Sequence, residues 1–173
     1  MIIVDVFVPG AAKTKGSMVA RPNGSMKESV VGSSAWRALM AQAVRDDIAR
    51  RCAGKNAMTG FDDFKGEPYP GAVSVTVVAY LAQPQTPRFL DSLWYWPIWE
   101  RAGDLDKLVR NVLDALGSTS KNAKMNGGAI IDDNLVCRLA AEKLVTGPDW
   151  PRAGVRIRVD TLRPCTYSMR QVG

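Results

Sequence analysis

The sequence predicts an α+β fold in which a mixed β-sheet packs against two main helices. Three stretches are rich in apolar and β-branched residues or alternate apolar with polar ones, as strands do: 2–8, 72–81 and 154–162. Two further stretches, which begin near Ser33 and at Leu105, space their apolar residues with the period of a helix. A chain of 173 residues is long enough for one core, so we expect a single domain over 1–173, with 164–173 as a flexible tail.

Composition excludes several kinds of site. Lys and Arg outnumber Asp and Glu by 23 to 17, and the net charge of +6 suits either a polyanionic partner such as nucleic acid or simply a basic soluble surface. Histidine is absent, which excludes Ser-His-Asp and Cys-His nucleophilic sites and His-ligated zinc. The three cysteines lack CxxC spacing, so we expect free thiols. No stretch is typical of a signal peptide or a membrane span, which predicts a cytoplasmic protein that contacts no membrane.

A basic loop follows the first predicted strand. Its cations lie among glycine, proline and asparagine residues, on backbone that can approach a ligand closely: Lys13, Lys15, Arg21 and Lys27. Such a loop can contact a phosphate backbone, and it can equally be a solvated connection. Both interpretations remain open from the residues alone.

The first helix is predicted to be a core element. Ser33 or Ser34 can cap it, and its apolar positions keep helical spacing: Trp36, Leu39, Met40, Ala43, Val44 and Ile48. The segment 54–71 after it is rich in Gly, Pro and acidic residues and predicts a connection without a motif. The next stretch, 72–81, has the strongest strand pattern in the chain and is expected to be central in the sheet. Segment 83–102 then carries a cluster of aromatic residues with flanking arginines, which can stack on unpaired bases, cover a core edge or form a dimer contact.

The stretch that carries the most chemistry is 103–116, GDLDKLVRNVLDAL. Its leucines and valines fall on one helical face, and Asp106, Arg110 and Asp114 fall on another. Asp104 and Asp106 come at the start of this helix, so one of them can cap its free N–H groups. Two carboxylates this close repel unless a cation lies between them, which leaves a helix cap and a metal site as alternatives.

A second acidic pair follows the helix. The polar loop 117–128 carries Lys121 and Lys124, which suit contact with a phosphate backbone. A short apolar run after it leads to Asp132 and Asp133, and a strand is predicted over 135–145. If Asp104 and Asp106 come close to Asp133, three carboxylates converge. Oxygen ligands of this kind suit Mg²⁺, with Mn²⁺ as a possible substitute, although capping and turn roles explain the same residues.

Two motifs in this order resemble the RusA family of Holliday junction resolvases. The family pattern D-[LI]-D-[NK]-L-x-[KR]-x-x-x-D-A-L matches DLDKLVRNVLDAL from Asp104, and a D-D-x-x-V motif matches IIDDNLV around Asp132. The resemblance implies a RusA-like domain with Asp104, Asp106 and Asp133 as metal-binding catalytic carboxylates, Asp132 in support and Arg110 as the functional basic residue. Lys107 is expected to help Arg110 orient or neutralise a phosphate.

The resemblance also implies an activity and partners. We expect a homodimeric, Mg²⁺-dependent endodeoxyribonuclease that resolves four-way DNA junctions in recombination and repair, in a bacterial or phage-infected cell and without an organic cofactor. A dimer suits this reaction because paired nicks across a roughly two-fold junction need two matched sites. The alternative is a non-catalytic accessory protein that binds DNA with a steep salt dependence. A DxD enzyme for small phosphorylated substrates is disfavoured, since no phosphate-cradling Gly-rich loop precedes a helix.

Overall fold

The computed structural model describes residues 1–16, 18–20, 22, 26–28, 30–53, 66–82, 103–118, 126–147 and 151–162. Several sequence predictions therefore lie outside the described residues. They concern the aromatic segment 83–102, most of the 54–71 connection, the tail 164–173, and Arg21, Lys121, Lys124 and the side chain of Lys27.

The described residues form six strands, two α-helices and one short 3₁₀ helix. The strands are β1 (Ile2–Pro9), β2 (Met18–Ala20), β3 (Met26–Glu28), β4 (Val73–Leu81), β5 (Val136–Val145) and β6 (Gly154–Thr161). The helices are α1 (Ser33–Ala53) and α2 (Leu105–Leu116), and the 3₁₀ helix spans Asp133–Leu135. No helix among these residues is long and apolar enough to span a membrane.

One mixed sheet organises the fold. Its strand order is β1-β6-β4-β5, and β2 and β3 pair separately. β4 lies antiparallel to β6 on one side and parallel to β5 on the other, which confirms the prediction that it is central. The mixed sheet and the two helices confirm the predicted α+β class.

The core lies between one face of the sheet and the two helices. Alternate β4 residues from Val73 to Ala79 are fully buried, whereas the residues between them are only partly buried. In β6, Val155, Ile157 and Val159 continue the same buried face, and residues of α1 and α2 complete the cluster. Both helices thus lie on the core face, and the described β4 side chains on the opposite face are only partly buried.

α1 follows the predicted spacing with two exceptions. Trp36, Met40, Val44 and Ile48 are buried, as a stripe repeated every four residues should be. The prediction that Leu39 belongs to this core stripe is wrong, because its side chain is 47% exposed. Asp47, in contrast, is buried on the same helix, and its carboxylate accepts a hydrogen bond from the backbone N–H of Asp5 at 2.8 Å.

α2 buries the predicted apolar face. Leu108, Val109, Val112 and Leu116 are all nearly inaccessible to solvent, and they attach the helix to the core. Asn111 is fully buried among them, a polar position that the apolar pattern does not predict. The buried face fixes the orientation of the exposed residues at the start of α2.

Candidate active site

The backbone that leads into α2 is held in place by Gly103. Its φ angle is +75°, and a Cβ atom at this position would lie 2.5 Å from Cγ2 of Thr14. A larger residue would therefore meet both an unfavourable backbone conformation and a steric clash. The Gly103 carbonyl accepts a hydrogen bond from Nζ of Lys143 at 2.8 Å. These restraints set the position of the next residue, Asp104.

Asp104 occupies the N-cap position of α2 but does not cap it through its side chain. Its backbone is extended, and its carboxylate makes no capping hydrogen bond. Oδ2 lies 2.6 Å from Nζ of Lys107, three residues later. The hydrogen bond and the charge of Lys107 lower the pKa of Asp104. A cap was one of the two roles that the sequence left open for the acidic pair, and the Asp104 side chain does not supply it, because the lysine one turn later holds the carboxylate.

Asp106 and Arg110 are exposed on the polar side of α2. They are four residues apart, so their side chains project from the same face of the helix. The buried Leu108 and Val109 lie between them and fix that face relative to the core. A carboxylate and a guanidinium are thereby presented together at the surface, next to the Asp104–Lys107 ion pair.

The second acidic pair lies in the 3₁₀ helix that precedes β5. The Asp132 carboxylate accepts a hydrogen bond from the backbone N–H of Asn134 at 3.0 Å and caps this helix. Asp133 is exposed. The backbone just before the pair is attached to the carboxyl end of α2, where the N–H of Ala129 donates to the Leu116 carbonyl at 3.0 Å.

These contacts associate the two acidic pairs with opposite ends of α2. The pair Asp104 and Asp106 lies at the amino end, whereas the chain reaches Asp132 and Asp133 from the carboxyl end. Carboxylates are chemically suitable ligands for Mg²⁺. Within the described ranges, however, no group of three or more Asp, Glu, His or Cys side chains is arranged to hold a metal ion. The donor type therefore fits the expected ion, although the described residues do not bring three such side chains together.

Two of the predicted DNA-contacting lysines are described beside α2. Lys13 is exposed. Nζ of Lys15 lies 2.6 Å from Oδ2 of Asp114, and the backbone N–H of Lys15 donates to the Lys107 carbonyl at 3.0 Å. The loop is therefore fixed along the polar side of α2, and the Lys15 charge is partly neutralised by Asp114.

Asn111 holds this arrangement together. Its Nδ2 donates to the Lys13 carbonyl at 2.8 Å, and its Oδ1 accepts from Nε of Arg37 at 2.9 Å. One buried amide thus joins the basic loop, α1 and α2. Sequence reasoning missed this residue, although its spacing of three from the buried Leu108 and four from the buried Ala115 indicates a position on the core side.

Comparison with known proteins agrees with the two motifs. The family model for endodeoxyribonuclease RusA matches residues 50–158, a range that contains both acidic pairs and more than half of the chain. No curated protein matches the chain. The segments from Gly103 to Leu116 and from Asp132 to Val136 both lie within the matched range, and the chain belongs to the RusA endodeoxyribonuclease family.

Proposed function

We propose that this protein is a Mg²⁺-dependent, structure-specific endonuclease that resolves four-way DNA junctions by phosphodiester hydrolysis. The observation that carries the proposal is the RusA family match over 50–158, which includes both acidic pairs. The surface position of Asp104, Asp106 and Asp133 supports it, since a DNA substrate can reach them.

The carboxylates are the proposed metal ligands. Asp104 and Asp106 supply one pair from the start of α2, and Asp133, with Asp132 beside it, supplies the other from the start of β5. A bound Mg²⁺ would supply Lewis-acid activation of the phosphodiester and of water, and Mn²⁺ is the expected substitute. Lys107 contacts Oδ2 of Asp104, so Oδ1 is the oxygen that can bind the ion while this ion pair is closed.

The basic residues are the proposed phosphate contacts. Arg110 shares the helical face of Asp106, so it can neutralise the phosphate that reaches that carboxylate, and Lys107 becomes available once it leaves Asp104. Lys13 is directly accessible, whereas Lys15 must first leave Asp114. Arg21, Lys27, Lys121 and Lys124 complete the proposed DNA contacts.

The proposed functional unit is a homodimer. A four-way junction has approximate two-fold symmetry, and its resolution requires nicks in two strands of like polarity. Two copies of the same site related by a two-fold axis meet this requirement.

The test is cleavage of matched DNA substrates by wild type and by Asp106→Asn. Synthetic four-way junction, flap and duplex DNA are incubated with each protein in Mg²⁺, in Mn²⁺ and in EDTA. We expect wild type to cut the four-way junction only with metal, and Asp106→Asn to lose roughly 100-fold or more of this activity while it still binds the junction. The isosteric change removes one charge at an exposed position, so folding should be unaffected.

Asp46→Asn is the matched control. Asp46 is also an exposed helical aspartate, but it lies on α1 and accepts a hydrogen bond from Gln42. Its variant should cut like wild type. Cleavage by Asp106→Asn at the wild-type rate would overturn the proposed site, and metal-independent binding by wild type without any nicking would favour the accessory-protein alternative.

A further inference from the structure

One charged side chain of β5 lies on the face of the sheet that meets the helices. Lys143 is in register with Ala79 of β4, whose side chain is fully buried in the core. The other charged residues of β5, Arg138 and Glu142, lie on the opposite face and are exposed. A half-buried ammonium group loses part of its hydration, so a core face is normally occupied by apolar residues. Lys143 at this position therefore requires an explanation.

The ammonium group of Lys143 is bonded to backbone rather than to a carboxylate. Its Nζ donates a hydrogen bond to the Gly103 carbonyl at 2.8 Å, across 40 residues of sequence. Within the described ranges, no carboxylate lies within ion-pair distance of this nitrogen. A side chain that reaches a carbonyl from a neighbouring element restrains the segment to which that carbonyl belongs, and such a bond is strong because its donor is charged.

The restrained segment is the start of α2. Gly103 directly precedes Asp104, whose carbonyl accepts the first hydrogen bond of the helix from the Leu108 N–H at 3.1 Å. The Asp104 side chain makes no hydrogen bond to the free N–H groups of α2, so a cap does not fix its direction. The hydrogen bond from Lys143 is thus one of the contacts that fix the backbone from which the Asp104 carboxylate projects.

The backbone in front of the second acidic pair is also held by a side chain. The Ile131 carbonyl, directly before Asp132, accepts a hydrogen bond from Oγ of Ser118 at 3.1 Å. A neutral hydroxyl group is therefore sufficient to hold a carbonyl of this kind. At Gly103 the donor is a cation instead, which brings a charge close to a proposed metal ligand.

We propose that Lys143 is a positioning residue of the active site, which fixes Asp104 for metal binding by holding the Gly103 carbonyl. The inference rests on the proposed function, since it takes Asp104 as a ligand of Mg²⁺. In this role Lys143 touches neither the metal ion nor the DNA. Residues that orient a metal ligand through hydrogen bonds change the metal affinity about 10- to 100-fold when they are replaced.

The charge of Lys143 and its hydrogen bond act on metal binding with opposite signs. The pKa of Asp104 is lowered first by Lys107 and then, more weakly, by the charge of Lys143, so this charge reaches the carboxylate. A cation beside a ligand repels an approaching metal ion, and its removal by itself should strengthen metal binding. Loss of the hydrogen bond should weaken metal binding, because Asp104 is no longer held. The sign of the change in metal affinity therefore separates positioning from a purely electrostatic effect.

The first test measures Mn²⁺ binding to the protein alone by calorimetry. Lys143→Met keeps an unbranched side chain but loses both the donor and the charge, and it is compared with wild type and Lys143→Arg. We expect Lys143→Met to weaken Mn²⁺ binding about tenfold. Lys143→Arg should recover most of the affinity, because a guanidinium can also donate to the Gly103 carbonyl. Unchanged or tighter Mn²⁺ binding by Lys143→Met would overturn the proposal.

Arg138→Met is the matched control. Arg138 lies on the same strand and its replacement removes the same unit of charge, but its side chain is exposed on the opposite face of the sheet. This variant should bind Mn²⁺ like wild type. A loss of affinity as large as that of Lys143→Met would contradict the proposal, because the Gly103 contact would then not be its cause.

The second test needs no metal ion. Amide hydrogen exchange is measured for Leu108, whose N–H donates to the Asp104 carbonyl, and for Trp36, whose N–H donates to the Gly32 carbonyl at 2.9 Å at the start of α1. Lys143→Met should speed the exchange of Leu108 about fivefold and leave that of Trp36 unchanged. Equal exchange of Leu108 in wild type and variant would mean that Lys143 does not hold the start of α2.

Binding of a synthetic four-way junction in EDTA distinguishes positioning from a direct DNA contact. Wild type and Lys143→Met should bind the junction equally, because Lys143 acts on the metal ligand alone. A variant that loses junction affinity while it keeps its Mn²⁺ affinity would make Lys143 a phosphate contact and overturn the positioning role.

These outcomes are separable from those of the proposed function. If Lys143→Met weakens Mn²⁺ binding but wild type cuts no junction in Mg²⁺, the proposed activity fails and the positioning role stands. If wild type cuts junctions and Lys143→Met binds Mn²⁺ like wild type, the positioning role fails and the activity stands.

Discussion

Asp47 lies within α1 and Asp104 directly precedes α2, and both aspartates contact cationic side chains. They differ in how far their carboxylates are exposed to solvent. The Asp47 side chain is 1% exposed and accepts hydrogen bonds from the Asp5 N–H, from Nε of Arg51 and from Arg50. Asp104 is 62% exposed and pairs with Lys107. A buried carboxylate whose acceptor positions are filled stabilises the fold, whereas an exposed one retains the capacity to bind a ligand.

The largest expected effect on stability is at Asp47. Asp47→Ala leaves the Asp5 N–H without its partner and frees both arginines, so the free energy of unfolding should fall by about 3 kcal/mol. Urea unfolding followed by circular dichroism measures it. Asp46→Ala, at the neighbouring exposed position, is the control and should cost less than about 0.5 kcal/mol. Equal losses in the free energy of unfolding for the two variants would mean that the buried contacts of Asp47 do not stabilise the protein.

Gly103 tests whether the start of α2 is held as firmly as the surroundings of Asp47. Gly103→Ala should destabilise the protein by about 2 kcal/mol, because a left-handed conformation and the contact with Thr14 act together. Gly32→Ala is a matched control: its φ is +83°, but a Cβ atom there meets nothing within 4 Å. Its cost should be only about 1 kcal/mol. If both variants unfold at the same urea concentration, the Thr14 contact does not restrain this segment.

The buried carboxylate should also show itself in the pH dependence of stability. Burial by itself raises the pKa of Asp47, but the hydrogen bonds from Arg51, Asp5 and Arg50 outweigh it and hold the pKa below its usual value. A carboxyl with a lowered folded pKa stabilises the protein above the unfolded pKa of about 4, and this contribution is lost as the pH falls through the folded pKa. The stability difference between wild type and Asp47→Asn should therefore be constant near neutral pH and shrink below about pH 4. A difference that grows on acidification would reverse the assigned sign.

The smallest effect is expected at Lys107. Lys107→Met removes the hydrogen bond and the charge that lower the pKa of Asp104, so that pKa should rise toward its usual value in an NMR titration of the carboxyl group. Lys143→Met is the control, because Lys143 lowers the same pKa only through its charge and less strongly. Equal shifts in the two variants would show that the 2.6 Å ion pair does not persist in solution.

Much of the fold follows from local pattern. Alternation identified β4 and β6, and helical spacing identified α2 with its buried Leu108 and Val112. These signals are strong because side-chain direction repeats with a fixed period in each element. Leu39 shows what helical spacing cannot predict. It lies next to the buried Trp36 and Met40 on the helix surface, yet it is exposed, because the neighbouring elements determine how wide the buried face of a helix is.

Local motifs likewise predicted only a part of the candidate site. The motifs identified the acidic residues and their local order, but not that Asp104 pairs with Lys107 and makes no side-chain cap. Asn111, Arg37 and the Lys13 carbonyl meet across 74 to 98 residues of sequence, and no local pattern contains that contact.

The sequence by itself determined the α+β class, the two acidic pairs and membership of the RusA family, because each depends on residues close together in the chain. The tertiary structure decided which polar residues are buried, that the two acidic pairs approach α2 from opposite ends, and that β5 lies at one edge of the described sheet. These features depend on how distant segments pack, and packing is a property of the whole fold.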